Sequence, residues 1–452
     1  MLMKYKYIFF VAILLSLIHT GTIARAEEQT YIVKVKTVDL MGCSNESPER
    51  DHLQTLTQSE LDKYINLDMV EDYEPNHKVK LHSVENHNWN LDVIKSEYSH
   101  SLGCYGNNVK VAVIDSGIQP IEDLSNVVCD GFNYLRYTTD TFDNIGHGTF
   151  VSGIIASENY GVAYRTQIVP LKCFDNNIDT YVDDVIDAIY DAVDVYSCDV
   201  INMSFGFTDN SKYFERAVKY AVNHGVIVVA SVGNDGTSSL YYPAAYDDVI
   251  GVGALNSDLT CAGYSQKNNS VFVTAPGSDL DSVRIDGYAD KSGTSFSAPH
   301  ISAVAAIVKS IDKTVTNNKV KEILQLSSTD LGEPGYDISY GFGLLNTQKL
   351  FDILLKDTKT FVSPIDETNQ QKKSVIFNNT NDEKSLSVIY GIYDEFNKLI
   401  DLKIENIILA SREKFDFSLN ISGYHTKLMV WNDINNMQPQ ANVREIFSER
   451  KD

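Results

Sequence analysis

Four short stretches of this chain hold side chains that could together carry hydrolytic chemistry. In Gly293-Thr294-Ser295-Phe296-Ser297-Ala298-Pro299-His300, a glycine and hydroxyl residues lead into small and aliphatic residues that continue to Val308. The pattern predicts a helix opening near Ser295, with Pro299 in its first turn, where a missing N–H costs nothing. A hydroxyl there faces the positive end of the helix dipole, which favours the anion a nucleophile generates. Gly146-His147-Gly148 opens a second small-residue run, and glycine on both sides leaves the imidazole sterically open, as a base that meets a substrate requires. Asp115 ends an apolar run, and Asn234 lies in the turn Ser231-Val232-Gly233-Asn234-Asp235-Gly236. Each has a plainer use: Ser295 as part of a helix cap, His147 as a packed core group, Asn234 as a left-handed turn residue. Taken together they fill four complementary roles. A serine hydroxyl needs a base, the base needs a carboxylate to hold its tautomer, and the developing oxyanion needs a donor.

The elements that must position these residues can be read from periodicity. Residues 109–114 are almost continuously β-branched, and similar runs stand at 168–173, 200–203, 226–230, 249–252 and 271–274. Helix-like segments at 182–195 and 213–223 lie between them. Apolar strands alternating with helices predict an α/β fold with a mostly parallel central sheet covered on both faces, spanning residues 84–355. Chemistry in such sheets gathers at the carboxyl ends of the strands, where Asp115 stands. Residues 27–83 read as a small α+β unit, with alternation at 31–36 and 77–82 around a helical 56–64. A piece that small is weakly stable alone, which suits a propeptide docked on something larger; a permanently attached subdomain is the alternative. Residues 356–452 carry strand-like runs at 374–377, 385–393, 399–408, 414–419 and 427–431 joined by polar turns, and predict a small all-β sandwich.

The 452 residues are 43% hydrophobic and 22% charged, a globular composition. A formal net charge of −23 excludes nucleic acid as a natural partner, since like charges repel a phosphate backbone. Lys4 and Lys6 precede an apolar run at 8–18, and Ala24-Arg25-Ala26 offers small residues for cleavage before Glu27. Residues 1–26 therefore read as a secretory signal, which predicts an extracellular protein with no membrane span after its removal. The six cysteines, Cys43, Cys104, Cys129, Cys173, Cys198 and Cys261, form no CxxC pair, which argues against a metal cluster. Most are expected to be buried thiols.

Five motifs in order complete the pattern: Val113-Ile114-Asp115-Ser116-Gly117-Ile118; His147-Gly148-Thr149 with Val151 and Gly153; Asn202-Met203-Ser204; Gly233-Asn234; and Gly293-Thr294-Ser295 with Ala298-Pro299-His300. In these motifs, and in the order Asp…His…Ser, the chain resembles the subtilisin-like serine peptidases over roughly residues 84–352. The resemblance implies a three-layer subtilisin-like domain and a secreted serine endopeptidase working through an acyl-enzyme. Ser295 would be the nucleophile, His147 the general base, Asp115 its orienting carboxylate and Asn234 an oxyanion donor. Ser204-Phe205-Gly206 and Ser231-Val232-Gly233 would flank an extended peptide or protein substrate. Residues 27–83 resemble the family's inhibitory, fold-assisting propeptide, which the enzyme would cut from itself, leaving a monomer. No cofactor is required by the resemblance. The short 158–162 connection offers few oxygens for the calcium cage of relatives, so at most a weaker site elsewhere is expected. Phe150 replaces a second histidine common in the family, and Asp235 near the pocket mouth suggests a basic residue before the scissile bond. A different class of reading is a catalytically silent relative that serves as a binding or adhesion module. A lipase-like hydrolase would need Gly-x-Ser-x-Gly and the order Ser…Asp…His, which this chain lacks.

Overall fold

The computed structural model describes residues 30–35, 53–76, 80–81, 89–176, 180–283, 292–368, 371–394, 396, 398–420, 425–431, 439–440 and 444–447. The signal-like segment 1–26 and Cys43 lie outside the described residues. Contacts divide the chain into two units, residues 1–41 with 52–76 and residues 42–51 with 77–452.

In the first unit three antiparallel strands, β1 (Thr30–Val35), β2 (Leu53–Thr57) and β3 (Val70–Pro75), are ordered β2-β1-β3 with a helix, Gln58–Asn66, after β2. Thr57 and Glu60 form a reciprocal capping box, which ends β2 and starts the helix two residues later than hydrophobic periodicity predicts. Its core is small, with Val33, Leu56 and Leu61 buried together.

The second unit begins with a short strand, β4 (Lys80–Leu81). It is built on a seven-stranded sheet of β5 (Lys110–Asp115), β6 (Phe132–Asn133), β7 (Gln167–Lys172), β8 (Val200–Met203), β10 (Ile227–Ser231), β11 (Ile250–Leu255) and β12 (Val273–Pro276). The order is β12-β11-β10-β8-β5-β7-β6 and every pairing is parallel. The strands are β-branched on both faces because helices cover both. The chain enters at β5, places β6 at one edge and β7 between them, then crosses to β8 on β5's other side. This reversal makes the carboxyl ends of β5 and β8 the favoured place for a site in such sheets. The helices His147–Ala156 and Thr294–Ile311 are buried along nearly their whole lengths, so they are apolar all round rather than amphipathic. The two-residue strand β9 (Phe205–Gly206) follows β8, and β4 pairs with it antiparallel, Lys80 opposite Gly206 and Leu81 opposite Phe205.

Beyond residue 356, β13 (Thr360–Val362), β14 (Asp366–Thr368), β15 (Gln371–Asn378) and β18 (Lys414–Asn420) form one antiparallel sheet. A second contains β16 (Lys384–Tyr393), β17 (Leu399–Leu409), β19 (His425–Trp431) and β20 (Arg444–Phe447), in the order β17-β16-β19-β20. Ile376 and Phe417 of the first sheet share a core with Val388, Tyr390 and Val430 of the second. The short strands β13 and β14 escape sequence reading because three residues are too few to show alternation. No helix among the described residues is long and apolar enough to cross a membrane.

Candidate active site

Asp115 is the last residue of β5 and is fully buried. The Nδ1–H of His147 donates to both its oxygens, at 2.8 and 3.0 Å, and the Ser116 N–H donates to Oδ1 at 2.7 Å. Because a carboxylate only accepts, this pairing places the ring proton on Nδ1 and leaves Nε2 as an acceptor. Nε2 is buried and has no hydrogen-bond partner.

His147 is the first residue of its helix, capped by Gly146 at a φ of 94°, a conformation that favours glycine. The flanking Gly148 does something other than open the imidazole. A Cβ there would stand 2.4 Å from the Gly117 carbonyl oxygen and 3.1 Å from Asp115 Oδ1. Gly148 thus lets the histidine helix lie directly on the strand end that carries Asp115.

Ser295 is the second residue of the helix Thr294–Ile311. Its hydroxyl donates to the Ser204 carbonyl at 2.9 Å, and the Ser204 hydroxyl donates to the Ser295 carbonyl at 2.7 Å. Pro299 corrects the sequence expectation: it lies inside the helix, past the first turn. A proline cannot donate to the carbonyl four residues earlier, which is that of Ser295. The Ser204 hydroxyl supplies the missing donor, so the apparent helix breaker is compensated by the neighbouring strand. Phe296 packs its ring 5.3 Å from the His147 ring and 4.8 Å from Phe150, so the residue standing in place of a second histidine is packing between the two helices.

Asn234 follows β10. Its Oδ1 accepts from the Thr294 N–H and the Thr294 hydroxyl, each at 2.9 Å. These two donors settle which way the amide faces, because only its oxygen can accept from a backbone N–H. The Nδ2 donor is left buried without a hydrogen-bond partner. Ser204, Phe205 and Gly206 on one side, and Ser231, Val232 and Gly233 on the other, are buried backbone segments flanking the sheet's carboxyl edge.

Asp143, Asn202 and Lys172 also hold the site together. Asp143 accepts from the Ile145 and Gly146 N–H groups at 3.0 and 2.8 Å and from Thr149 N–H and hydroxyl at 2.9 and 2.6 Å, holding the start of the histidine helix. An acidic residue ahead of an apolar run is a general sign of a helix start, the one sequence signal that could have pointed to it. Asn202 bridges Ser204 and Ser302 of the serine helix at 3.0 and 2.8 Å. Lys172 is buried, with its ammonium on the carbonyls of Ser116 and Phe174 and on Asn144 Oδ1 at 2.6, 2.9 and 3.0 Å. Burial pulls its pKa down, while Asp143, Asp175 and Asp115 push it back up.

Among the described residues no three His, Cys, Asp or Glu side chains are grouped to hold a metal. In the connection after the histidine helix, the Asp123 carboxylate instead accepts from Ser157 and, at 2.8 Å, from the Asn159 amide. That donor set fits a hydrogen-bonded turn rather than a calcium cage. Cys104, Cys173 and Cys198 are buried thiols, and burial holds the Cys173 thiol far above its ordinary pKa.

Residues 106–343 match the model of the subtilase family. The chain is 37% identical over 264 residues to the minor extracellular protease Epr of Bacillus subtilis, an overlap of 57% of this chain and 40% of that protein. It is 33% identical over 297 residues to a thermostable alkaline protease of Halalkalibacterium halodurans, covering 64% of this chain and 80% of the relative. Subtilisin E of Bacillus subtilis is 36% identical over 271 residues, 58% of this chain and 70% of its own length.

Proposed function

Because this chain belongs to the subtilase family, and is a serine endopeptidase by that membership, we propose that it hydrolyses peptide bonds with Ser295, His147 and Asp115 as a triad and Asn234 in the oxyanion hole. One observation carries the reading. His147 touches Phe296 and Asn234 holds Thr294, the residues on either side of Ser295, and both present a buried nitrogen with no hydrogen-bond partner. An unpartnered buried polar group is costly, so two of them flanking one serine point to groups that wait for a reacting partner.

In the reaction, the Ser295 hydroxyl turns from the Ser204 carbonyl to His147 Nε2 and attacks the scissile carbonyl as Nε2 takes its proton. The imidazolium so formed is stabilised by the buried Asp115 carboxylate on Nδ1. Charge on the carbonyl oxygen falls to the Asn234 Nδ2–H. His147 then returns the proton to the leaving amine, and water releases the acyl-enzyme by the same steps in reverse. Segments 204–206 and 231–233 would bind the substrate by backbone pairing.

The protein is read as a precursor. The pairing of Lys80–Leu81 with Phe205–Gly206 supports an N-terminal propeptide, residues 27–83, that lays its tail along the substrate strand. The charged and apolar N-terminus, together with a relative named as extracellular, supports secretion. The sheets beyond residue 356 are read as a β-sandwich accessory of a monomer. Intact mass of the secreted wild type beside Ser295→Ala tests the proposal. Loss of the segment up to about residue 83 in the wild type alone is expected. Retention in both, with no labelling of Ser295 by a serine-reactive phosphonate, would favour a catalytically silent relative.

A further inference from the structure

We propose that Tyr241 limits the residue before the scissile bond to small, uncharged side chains; this rests on the peptidase reading above. One contact of its neighbour and two of its own place Tyr241 beside the two substrate segments. The adjoining Tyr242 is pinned to Phe207, the residue after Ser204-Phe205-Gly206: the Phe207 N–H donates to the Tyr242 carbonyl at 2.9 Å, and the Tyr242 N–H to the Phe207 carbonyl at 2.8 Å. On the opposite segment, a Cβ built on Gly233 would stand 3.0 Å from Tyr241 Cδ2 and 3.2 Å from Cγ, so the ring lies directly against the Gly233 backbone. At the outer end the Tyr241 hydroxyl donates to Asp235, next to Asn234.

The ring therefore lies against the Gly233 segment and holds the carboxylate beside it, while its chain neighbour Tyr242 is tied to the residue that ends the other segment. A substrate side chain entering between the segments meets a phenol, and an aromatic or long one would have to displace it. Displacement also breaks a charge-assisted hydrogen bond, one of the stronger side-chain contacts. The Asp235 carboxylate pushes the phenol pKa up to about 12, so Tyr241 stays a neutral donor across ordinary working conditions. The same bond changes what Asp235 can do. Its charge is already engaged by Tyr241, which replaces the expectation of a basic residue with a preference for small side chains such as alanine.

The test compares fluorogenic peptides differing only in Ala, Phe or Lys before the cleaved bond, on the mature wild type, Tyr241→Gly, Tyr241→Ala and Tyr241→Phe. The wild type is expected to favour Ala over Phe and Lys by about tenfold or more in kcat/KM. Both truncations should raise the Phe/Ala ratio by about tenfold, a size typical of opening a pocket by several carbons. Tyr241→Phe, which keeps the ring and releases Asp235, should raise the Lys/Ala ratio while leaving Phe/Ala low. These ratios do not depend on how much of each variant folds. A wild type cleaving after Phe or Lys as readily as after Ala, or truncations that leave Phe/Ala unchanged, would overturn the inference while the peptidase reading stands. No phosphonate labelling of wild-type Ser295 would overturn the peptidase reading and this inference with it.

Discussion

At the scale of single residues, Ser204 and Ser295 define the site through a reciprocal exchange of hydrogen bonds between a strand and a helix. The Ser204 hydroxyl satisfies the carbonyl that Pro299 orphans, so Ser204→Ala should leave a buried acceptor unpaired and cost about 1–3 kcal/mol. Chemical denaturation of Ser204→Ala in the inactive Ser295→Ala background would check this free of self-digestion. Ser295→Ala itself should lower kcat about 10⁶-fold, the loss known for subtilisin. If Asn234 serves the proposed oxyanion hole, Asn234→Ala should lower kcat by about 10²–10³-fold with little change in KM, because its amide would then meet charge that exists only in the transition state. Steady-state kinetics on one peptide distinguishes the two sizes of effect.

At the scale of elements, two helices must be held in register on one sheet edge. The histidine helix is fixed at its first turn by Asp143 and by the Ser116 hydroxyl accepting from Gly148 N–H at 2.9 Å, while Lys172 holds the Ser116 carbonyl. The serine helix is anchored one turn beyond Ser295 by His300, whose Nδ1–H donates to the Phe296 carbonyl at 2.8 Å and whose Nε2 meets the Asn90 amide at 3.1 Å. His300 is wholly buried, and burial draws its pKa from 6.5 down to about 4. The folded state therefore keeps the imidazole neutral where the unfolded chain would protonate it. Its stabilisation is complete above about pH 6.5 and is lost as pH falls from there to about 4, a change of roughly 3 kcal/mol. Thermal midpoints of Ser295→Ala should fall across that window. The double variant Ser295→Ala/His300→Gln should start lower at pH 7.5 and show a flatter slope through the same range.

At the scale of the whole molecule, the sheets beyond residue 356 are joined to the parallel-sheet domain by buried polar contacts. Asp366 accepts from the Asn107 amide at 3.0 Å and lies 3.2 Å from Arg165 Nε, which is itself mostly buried. The Asn379 amide donates to the Leu355 and Thr358 carbonyls, each at 2.8 Å, just past the last helix, Thr347–Leu354. Removing one partner of a buried ion pair strands the other charge, so Asp366→Ala should destabilise by about 2–3 kcal/mol. Calorimetry should record a lower melting temperature, while kcat/KM at 25 °C stays near wild type because Asn107 and Arg165 precede β5 and β7, at the amino ends of the strands, opposite the carboxyl end that carries Asp115. A kcat/KM falling in step with stability would instead tie these sheets to the chemistry.

Much of this protein is legible in its sequence, because local pattern carries what local physics decides. The β-branched runs become buried parallel strands within a residue or two, as the 200–203 run does in β8. The motifs around Asp115, His147, Asn202, Asn234 and Ser295 are visible as glycine and hydroxyl punctuation at strand and helix ends. The tertiary structure alone decided what depends on partners distant in the chain. Pro299 reads as a first-turn proline until Ser204, far earlier in sequence, is found supplying its missing donor. The Asn234 amide has two faces in sequence and one once Thr294 takes its oxygen. Gly148 reads as freedom for an imidazole until the strand beneath it leaves no space for a Cβ. Asp235 reads as a bare charge until Tyr241, six residues on, is found donating to it. Periodicity reports which face of an element is buried; only packing reports what that face meets.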